Sequence, residues 1–262
     1  MRTAVFLVAL GISVAGCGAA PARRLAAAPH RAPRRHASVR YVRSHSAAVP
    51  ILEYHVIGFR TLGSSLEGLY VTPTEFRDQV AWLARNHWHT VSLGALARFW
   101  QRGVALPRKP IVISFDDGYP GDWQYALPIL HAHHFAGVLN LQIGNLVPKR
   151  VRALIRAGWE IDAHTFTHPD LRTVSSTQLH REVLVSRRWL QRVFGIAVPA
   201  FCYPLGRYDA RTIAAVRNAR YLLAETERQG WASPTQGLLE LSRIRITPST
   251  GVSGLAAWLR PA

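Results

Sequence analysis

Ile111-Val112-Ile113-Ser114-Phe115-Asp116-Asp117-Gly118 is an almost wholly apolar run that ends in two carboxylates and a glycine. A run of this length and composition fits a strand buried on both faces, as in a parallel sheet, because a strand with one wet face would alternate. Two adjacent carboxylates at the end of such a strand repel each other and are partly desolvated, so together they ask for a cation or a shared proton. A simple turn is the other reading, since Asp and Gly are common turn residues.

On either side of this run, short apolar segments alternate with helix-period segments from Ile51 onward. The further candidate strands are Ile51 to Val56, His89 to Ser92, Gly137 to Leu141, Trp159 to Ala163, Ala200 to Tyr203, Tyr221 to Ala224 and Leu241 to Ile246. Helix starts are legible between them. Thr72, Pro73 and Glu75 form a capping box with Pro at the first helical position, and Phe76, Val80 and Leu83 follow on one face. Ser175 and Gln178 repeat the box ahead of a helix that should end at Gly195. About eight βα steps in roughly 210 residues predict an α/β fold, a single-domain distorted or incomplete (β/α) barrel, with its chemistry where the strands end.

The segment His164-Thr165-Phe166-Thr167-His168 directly follows a candidate strand. Histidines four apart can meet on one face of a helical turn and offer two imidazole nitrogens to one metal ion. In a chain with 12 histidines, chance spacing is the competing explanation. Both constellations follow predicted strands, which places them on one rim of a barrel. Together they supply one carboxylate and two histidines, a zinc-type donor set with open positions.

Ser114-Phe115-Asp116-Asp117-Gly118 resembles the first motif of the polysaccharide deacetylase family (NodB homology domain, carbohydrate esterase family 4), and His164 to His168 resembles the second. Phe201-Cys202-Tyr203-Pro204-Leu205-Gly206 is similar to the third, and Leu52-Glu53-Tyr54-His55 to the opening of the branch that includes the poly-N-acetylglucosamine deacetylases. The resemblance runs from about Pro50 to about Thr247. It implies that Asp117, His164 and His168 hold a divalent metal, Zn²⁺ being expected, and that Asp116 is the general base toward the attacking water. It also implies that the Tyr203 backbone N–H faces the oxyanion. The implied activity is hydrolytic removal of acetyl groups from an N-acetylated polysaccharide such as poly-N-acetylglucosamine, peptidoglycan or a chitin-like polymer.

Two departures from the family pattern stand out. The arginine that many members carry shortly before the tyrosine-proline of the third motif is replaced here by Ala200 and Phe201, and no histidine follows His180, so the usual late general acid is missing. The late segment Leu241-Ser242-Arg243-Ile244-Arg245 resembles instead the Arg-Ile ending of the poly-N-acetylglucosamine branch. His55 is the candidate for the missing acid, against the alternative of a satisfied histidine packed in its strand. Trp123 and Tyr119 are candidates for stacking on sugar rings, or for rim packing.

The first 17 residues, with Arg2, the apolar run from Ala4 to Val14 and then Ala15-Gly16-Cys17, read as a signal peptide with a bacterial lipobox. That makes Cys17 the expected lipidated residue, the chain an exported one, and the membrane a partner through the lipid anchor. An ordinary secretory leader is the alternative. Residues 18–49 carry seven arginines without one acidic residue and read as a flexible tether, leaving 50–262 as the catalytic domain. Of the 32 basic residues, eight lie in these two segments, so 24 face 15 acidic ones in the remainder. That balance favours an anionic surface or polymer, yet no arginine stripe or nucleic-acid fold motif accompanies it, so no nucleic-acid partner is expected. A monomer is expected. With only two cysteines there is no disulfide framework, and Cys202 is a small buried apolar residue. Two other functions compete: an O-acetyl esterase on xylan-like glycans, which would use the same site, and a non-catalytic wall-binding lipoprotein.

Overall fold

The structure, a computed structural model, describes residues 41–42, 44–60, 63 and 66–260. The leader, Cys17 and the tether up to residue 40 lie outside the described residues. Seven parallel strands close into a barrel in the order β1 (Ile51–Tyr54), β2 (Pro110–Asp117), β3 (Val138–Leu141), β4 (Glu160–Ala163), β5 (Ala200–Cys202), β6 (Leu223–Gln229) and β7 (Leu241–Arg245), with β7 pairing back onto β1. Seven strands, rather than the expected eight, form the ring. The segment His89–Thr90 pairs only with Pro110 and Ile111 at the start of β2, and so lies outside it. The join between β4 and β5 is the thinnest, resting on the pairing of Phe201 with Ala163.

Helices pack around this ring because their apolar stripes face the outward side chains of the strands. Helix α1 (Pro73–Arg85) begins at the Thr72–Glu75 capping box and buries Phe76, Val80 and Leu83. The helix spanning 176–194 begins at the Ser175–Gln178 box, contains a wider turn at Arg181–Val185, and ends at Gly195 with φ 67°. Helix α2 (Leu93–Arg102) lies across the N-terminal end of the barrel. There Leu93, Leu96 and Phe99 cluster with Ile51, Val112, Val138, Ala200, Leu223 and Leu241. Gly94 donates its N–H to both oxygens of Glu160 at 3.0 and 3.1 Å, and a Cβ at this position would lie 2.7 Å from Oε2. A side chain there would force the Glu160 carboxylate away from the Gly94 N–H.

The chain that precedes β1 belongs to this fold as well. Tyr41–Val42 pairs antiparallel with Leu106–Pro107, Val49 is fully buried, and the Ala47 carbonyl accepts from Trp100 Nε1 at 3.0 Å. Tyr41–Val42, Ala47 and Val49, which fall within the stretch expected as tether, thus make contacts at the base of the barrel.

Side chains alternate along a strand, so the residues two steps above the apolar layer also point inward. Those residues are Glu53, Ser114, Asn140, Asp162, Cys202, Glu225 and Arg243, all buried. The barrel has an apolar base and a polar, titratable centre, and the centre supports the site.

Candidate active site

Adjacent residues of a regular strand point to opposite faces. Asp116 follows the alternation into the barrel, whereas Asp117 adopts the left-handed conformation with φ 74°, which turns its carboxylate back over the same rim. A positive φ is uncommon for a residue other than glycine. Here it is braced by Asn145 Nδ2, which donates to the Asp117 carbonyl at 3.3 Å.

The two histidines are not on a helix, contrary to expectation. They flank a non-helical loop in which Thr165 and His168 take φ values of 67° and 56°. Two internal supports hold it. Thr165 Oγ1 accepts from the His168 N–H at 2.9 Å, and the buried carboxylate of Glu182 accepts from the N–H groups of Phe166 and Thr167 at 2.6 and 3.1 Å. The result is a ring-to-ring distance of 4.7 Å between His164 and His168. His164 Nδ1 lies 2.8 Å from the Cys202 carbonyl oxygen, to which it can only donate, so Nε2 carries the free lone pair.

Asp117 Oδ1 lies 3.5 Å from His164 Nε2 and 3.6 Å from His168 Nε2. Ligands about 2.0–2.1 Å from a tetrahedral Zn²⁺ ion stand about 3.4 Å apart, so these three atoms fit one such ion. Two other groupings come as close together, Asp116 with His164 and Cys202, and Glu53 with His55 and Asp116. Both fit worse, because Asp116 is already bound by an arginine and burial pushes the Cys202 thiol far up, away from the thiolate a metal needs.

Asp116 is held from three sides. Arg243 donates to its two oxygens in a forked pair at 2.8 and 2.8 Å, and Asn140 Nδ2 donates to Oδ1 at 2.8 Å. Burial alone would raise the Asp116 pKa, but the Arg243 charge and hydrogen bonds outweigh it, with smaller pulls from His55 and His164, and the carboxyl is held well below its usual range. Arg243 is 1% exposed and also donates from Nε to the Thr226 carbonyl at 2.9 Å. It supplies, from the last barrel strand, the arginine whose absence near the third motif the sequence registers. Its Nη2 lies 3.3 Å from Glu53 Oε2. Glu53 and Glu225, pressed into the same layer, are both raised to about 7, by burial first, with Arg243 pulling down and Asp116 pushing up.

His55 stands beside this group, with Nε2 3.9 Å from Asp116 Oδ2 and Nδ1 3.8 Å from Glu53 Oε1. Its pKa is lowered by burial, against the opposing pull of the Asp116 and Asp117 carboxylates.

Tyr203 does not present the amide expected of it. Its N–H donates to the Glu225 carbonyl at 3.1 Å and its hydroxyl to the Leu239 carbonyl at 3.1 Å. The amide expected to face the oxyanion is thus paired within the sheet, and Tyr203 leads into the turn where Leu205 has φ 57°. Tyr119 is half-buried next to Asp117, while Trp123 is partly exposed with the Arg150 guanidinium 4.7 Å from its ring centre, so one stacking face is taken.

Sequence reasoning gave no role to Arg243, Asn140, Glu225 or Glu182. The available signal was the every-second-residue pattern Leu241/Arg243/Arg245, which sends an arginine into a barrel interior where its charge needs a carboxylate beside it.

The family model described as "Polysaccharide deacetylase" matches residues 103–224. A Streptococcus pyogenes deacetylase, PplD, solved in complex with acetate, is 27% identical and superposes with a TM-score of 0.78 over 82% of this chain and 100% of that one. The Bacillus subtilis protein YxkH, named after the same family, is 28% identical over 219 residues, 81% of this chain and 76% of that protein. The poly-beta-1,6-N-acetyl-D-glucosamine N-deacetylase of Escherichia coli K12 is 31% identical over 121 residues, which is 45% of this chain and 18% of that enzyme.

Proposed function

We propose, since this chain belongs to the polysaccharide deacetylase family, that it is a metal-dependent N-deacetylase of a β-linked N-acetylglucosamine polymer. The observation that carries the reading is the convergence of Asp117, His164 and His168 at tetrahedral spacing next to an Asp116 whose pKa Arg243 holds well below the usual carboxylate range. A divalent ion held by those three side chains, with Zn²⁺ the best fit to one carboxylate and two imidazoles, would supply Lewis-acid polarisation of water and of the acetyl oxygen. Asp116, aimed by Arg243 and Asn140, accepts the proton of the attacking water. The leaving sugar amine needs a proton in turn. His55, whose Nε2 lies 3.9 Å from Asp116 Oδ2, takes up the proton that Asp116 accepted from the water and gives it to the amine nitrogen as the C–N bond breaks, its lowered pKa making the charged ring a stronger acid.

Acetate release from N-acetylglucosamine oligomers, peptidoglycan and acetylxylan, with and without added Zn²⁺, tests the reading. Release from the first two only, abolished by chelation, is the expected result. Preferential release from acetylxylan would make the chain an ester hydrolase, and no release from any of the three would leave it a binding protein. The proposed location is outside the cytoplasm, with the chain held by lipid on Cys17, on the strength of the Val14-Ala15-Gly16-Cys17 sequence. Cys17→Ser should move the protein from the membrane to the soluble fraction or block its processing.

A further inference from the structure

The end of the barrel opposite the site has its own character. The segments that lead into a strand here, 86–88, 103–109, 133–137, 157–159, 195–199 and 219–222, contain no Asp or Glu, whereas 237–240, which leads into β7, contains Glu240. They contain Arg108, Lys109 and Arg220, and the helices ending at this face carry Arg85, Arg102, Arg156, Arg192 and Arg217 in their last turns. Helix dipoles favour cations at these ends, which accounts for part of the pattern. They do not account for the apolar side chains among them, since Val104, Leu222 and Trp258 are 48%, 39% and 42% exposed.

At the edge of this face, between the strand starts, helix α1 and the C-terminal helix Gly251–Trp258, lies a cavity of about 480 Å³ walled by Trp82, Trp88, Trp231 and Leu259, with Lys109 and Arg260 among its lining residues. Aromatic walls suggest a sugar, but several of the polar groups are already engaged. Asn86 Nδ2 donates to the Trp82 carbonyl at 2.9 Å, Trp231 Nε1 to the Trp258 carbonyl at 2.8 Å, and Lys109 Nζ to the Asn86 carbonyl at 3.0 Å. Sugar hydroxyls would find few partners. Carbon walls beside two cations suit an amphiphile with an acyl chain and a phosphate. The first described residues, Tyr41–Val42, pair with Leu106–Pro107 at this end.

We infer that the base of the barrel is a docking face for anionic phospholipid, with the tryptophan-walled cavity receiving part of one lipid. Docked this way, the chain turns the Asp116–Asp117 rim away from the bilayer. The inference relies on the proposed export only for the presence of a membrane.

The test is hydrogen exchange of the full chain on vesicles of phosphatidylglycerol and of phosphatidylcholine. Amides of 103–109, 219–222 and 256–260 should exchange about tenfold more slowly on phosphatidylglycerol alone, a cation near such a surface contributing about a fivefold gain in binding. The Arg108→Glu/Lys109→Glu/Arg260→Glu variant should lose that protection while Pro110–Asp117 stays protected as a control of folding. Val104→Ser/Trp258→Gln, which leaves every charge in place, should weaken it. Equal protection on both lipids, or protection that survives the charge reversals, overturns the inference, as does protection by N-acetylglucosamine oligomers instead. Acetate release from soluble oligomers, measured on the same samples, should be unchanged in the charge variant, so loss of the enzymatic reading would show there and not in the exchange data.

Discussion

Replacing Arg243 by glutamine should damage the protein in two separable ways. The guanidinium forms two 2.8 Å bonds to Asp116 and lies within 3.3 Å of Glu53, all of them buried. Removing one partner of such a buried pair destabilises by about 3–5 kcal/mol, because the remaining charge is left without solvent or counterion. Asp116→Asn placed on top of Arg243→Gln removes that orphaned charge, so the double variant should be more stable than the sum of the two single losses, by about 1.5–3 kcal/mol. Urea midpoints of the four proteins measure this. The second effect is on rate. In the wild type, Arg243 overrides burial and keeps Asp116 ionised throughout the working pH range. Without it burial prevails, the Asp116 pKa rises, and the acid limb of the kcat/KM profile should move up by at least about one pH unit, equivalent to about 1.4 kcal/mol. Additive stability losses together with an unmoved acid limb would refute the assignment of Arg243 as the residue that holds and aims the base.

Substituting Asp117 by Asn should mainly lower Zn²⁺ occupancy, whereas Asp116→Asn should keep the metal and lose turnover; equal metal loss on direct metal analysis would show the two roles wrongly divided. His55→Gln should retain metal and slow amide hydrolysis by roughly 10² to 10⁴ while sparing an acetate ester with a phenol leaving group, which needs little protonation. An equal loss on both substrates would make His55 a shaping residue. Glu225 is raised by burial to about 7, so the folded protein holds a proton there that the unfolded chain has lost above its ordinary 4.5. That contribution is complete below about pH 4.5 and disappears as pH rises through 7, at most about 3 kcal/mol. Thermal denaturation between pH 5 and 8 should show wild type losing stability and Glu225→Gln losing less.

Much of the barrel was legible because its signals are local. The capping boxes at Thr72 and Ser175 and the terminating Gly195 depend on a few neighbouring residues, and all three appear where the spacing put them. The pairing of Asp116-Asp117 with His164 and His168 was legible for a related reason, since each follows a strand and parallel strands end on one rim. What escaped depended on backbone conformation or on distant partners. The rim placement of Asp117 and the approach of the two histidines rest on left-handed residues at 117, 165 and 168, which no helix period encodes. Glu182 reaches the histidine loop from a helix 15 or 16 residues away in sequence. The Tyr203 N–H is paired with the Glu225 carbonyl, a bond that exists only once β5 and β6 pair.

The polar centre explains why the missing third-motif arginine need not mean a decayed enzyme. The base requires a cation beside it to stay ionised in a dry barrel, and any inward position at the right height can provide one. Arg243 occupies such a position on β7, in the layer of Ser114 just below Asp116 on β2, and its guanidinium reaches the carboxylate from there, while β1 between them contributes Glu53. A second carboxylate there would seem to compete for the same guanidinium. It does not displace Asp116, because Glu53 and Glu225 are raised to about 7 and can take up protons while Asp116 remains charged. One arginine among three carboxylates therefore selects which of them is the base. The selection is geometric: only Asp116 receives the forked pair of hydrogen bonds, and only Asp116 stands beside both His55 and the Asp117–His164–His168 cluster.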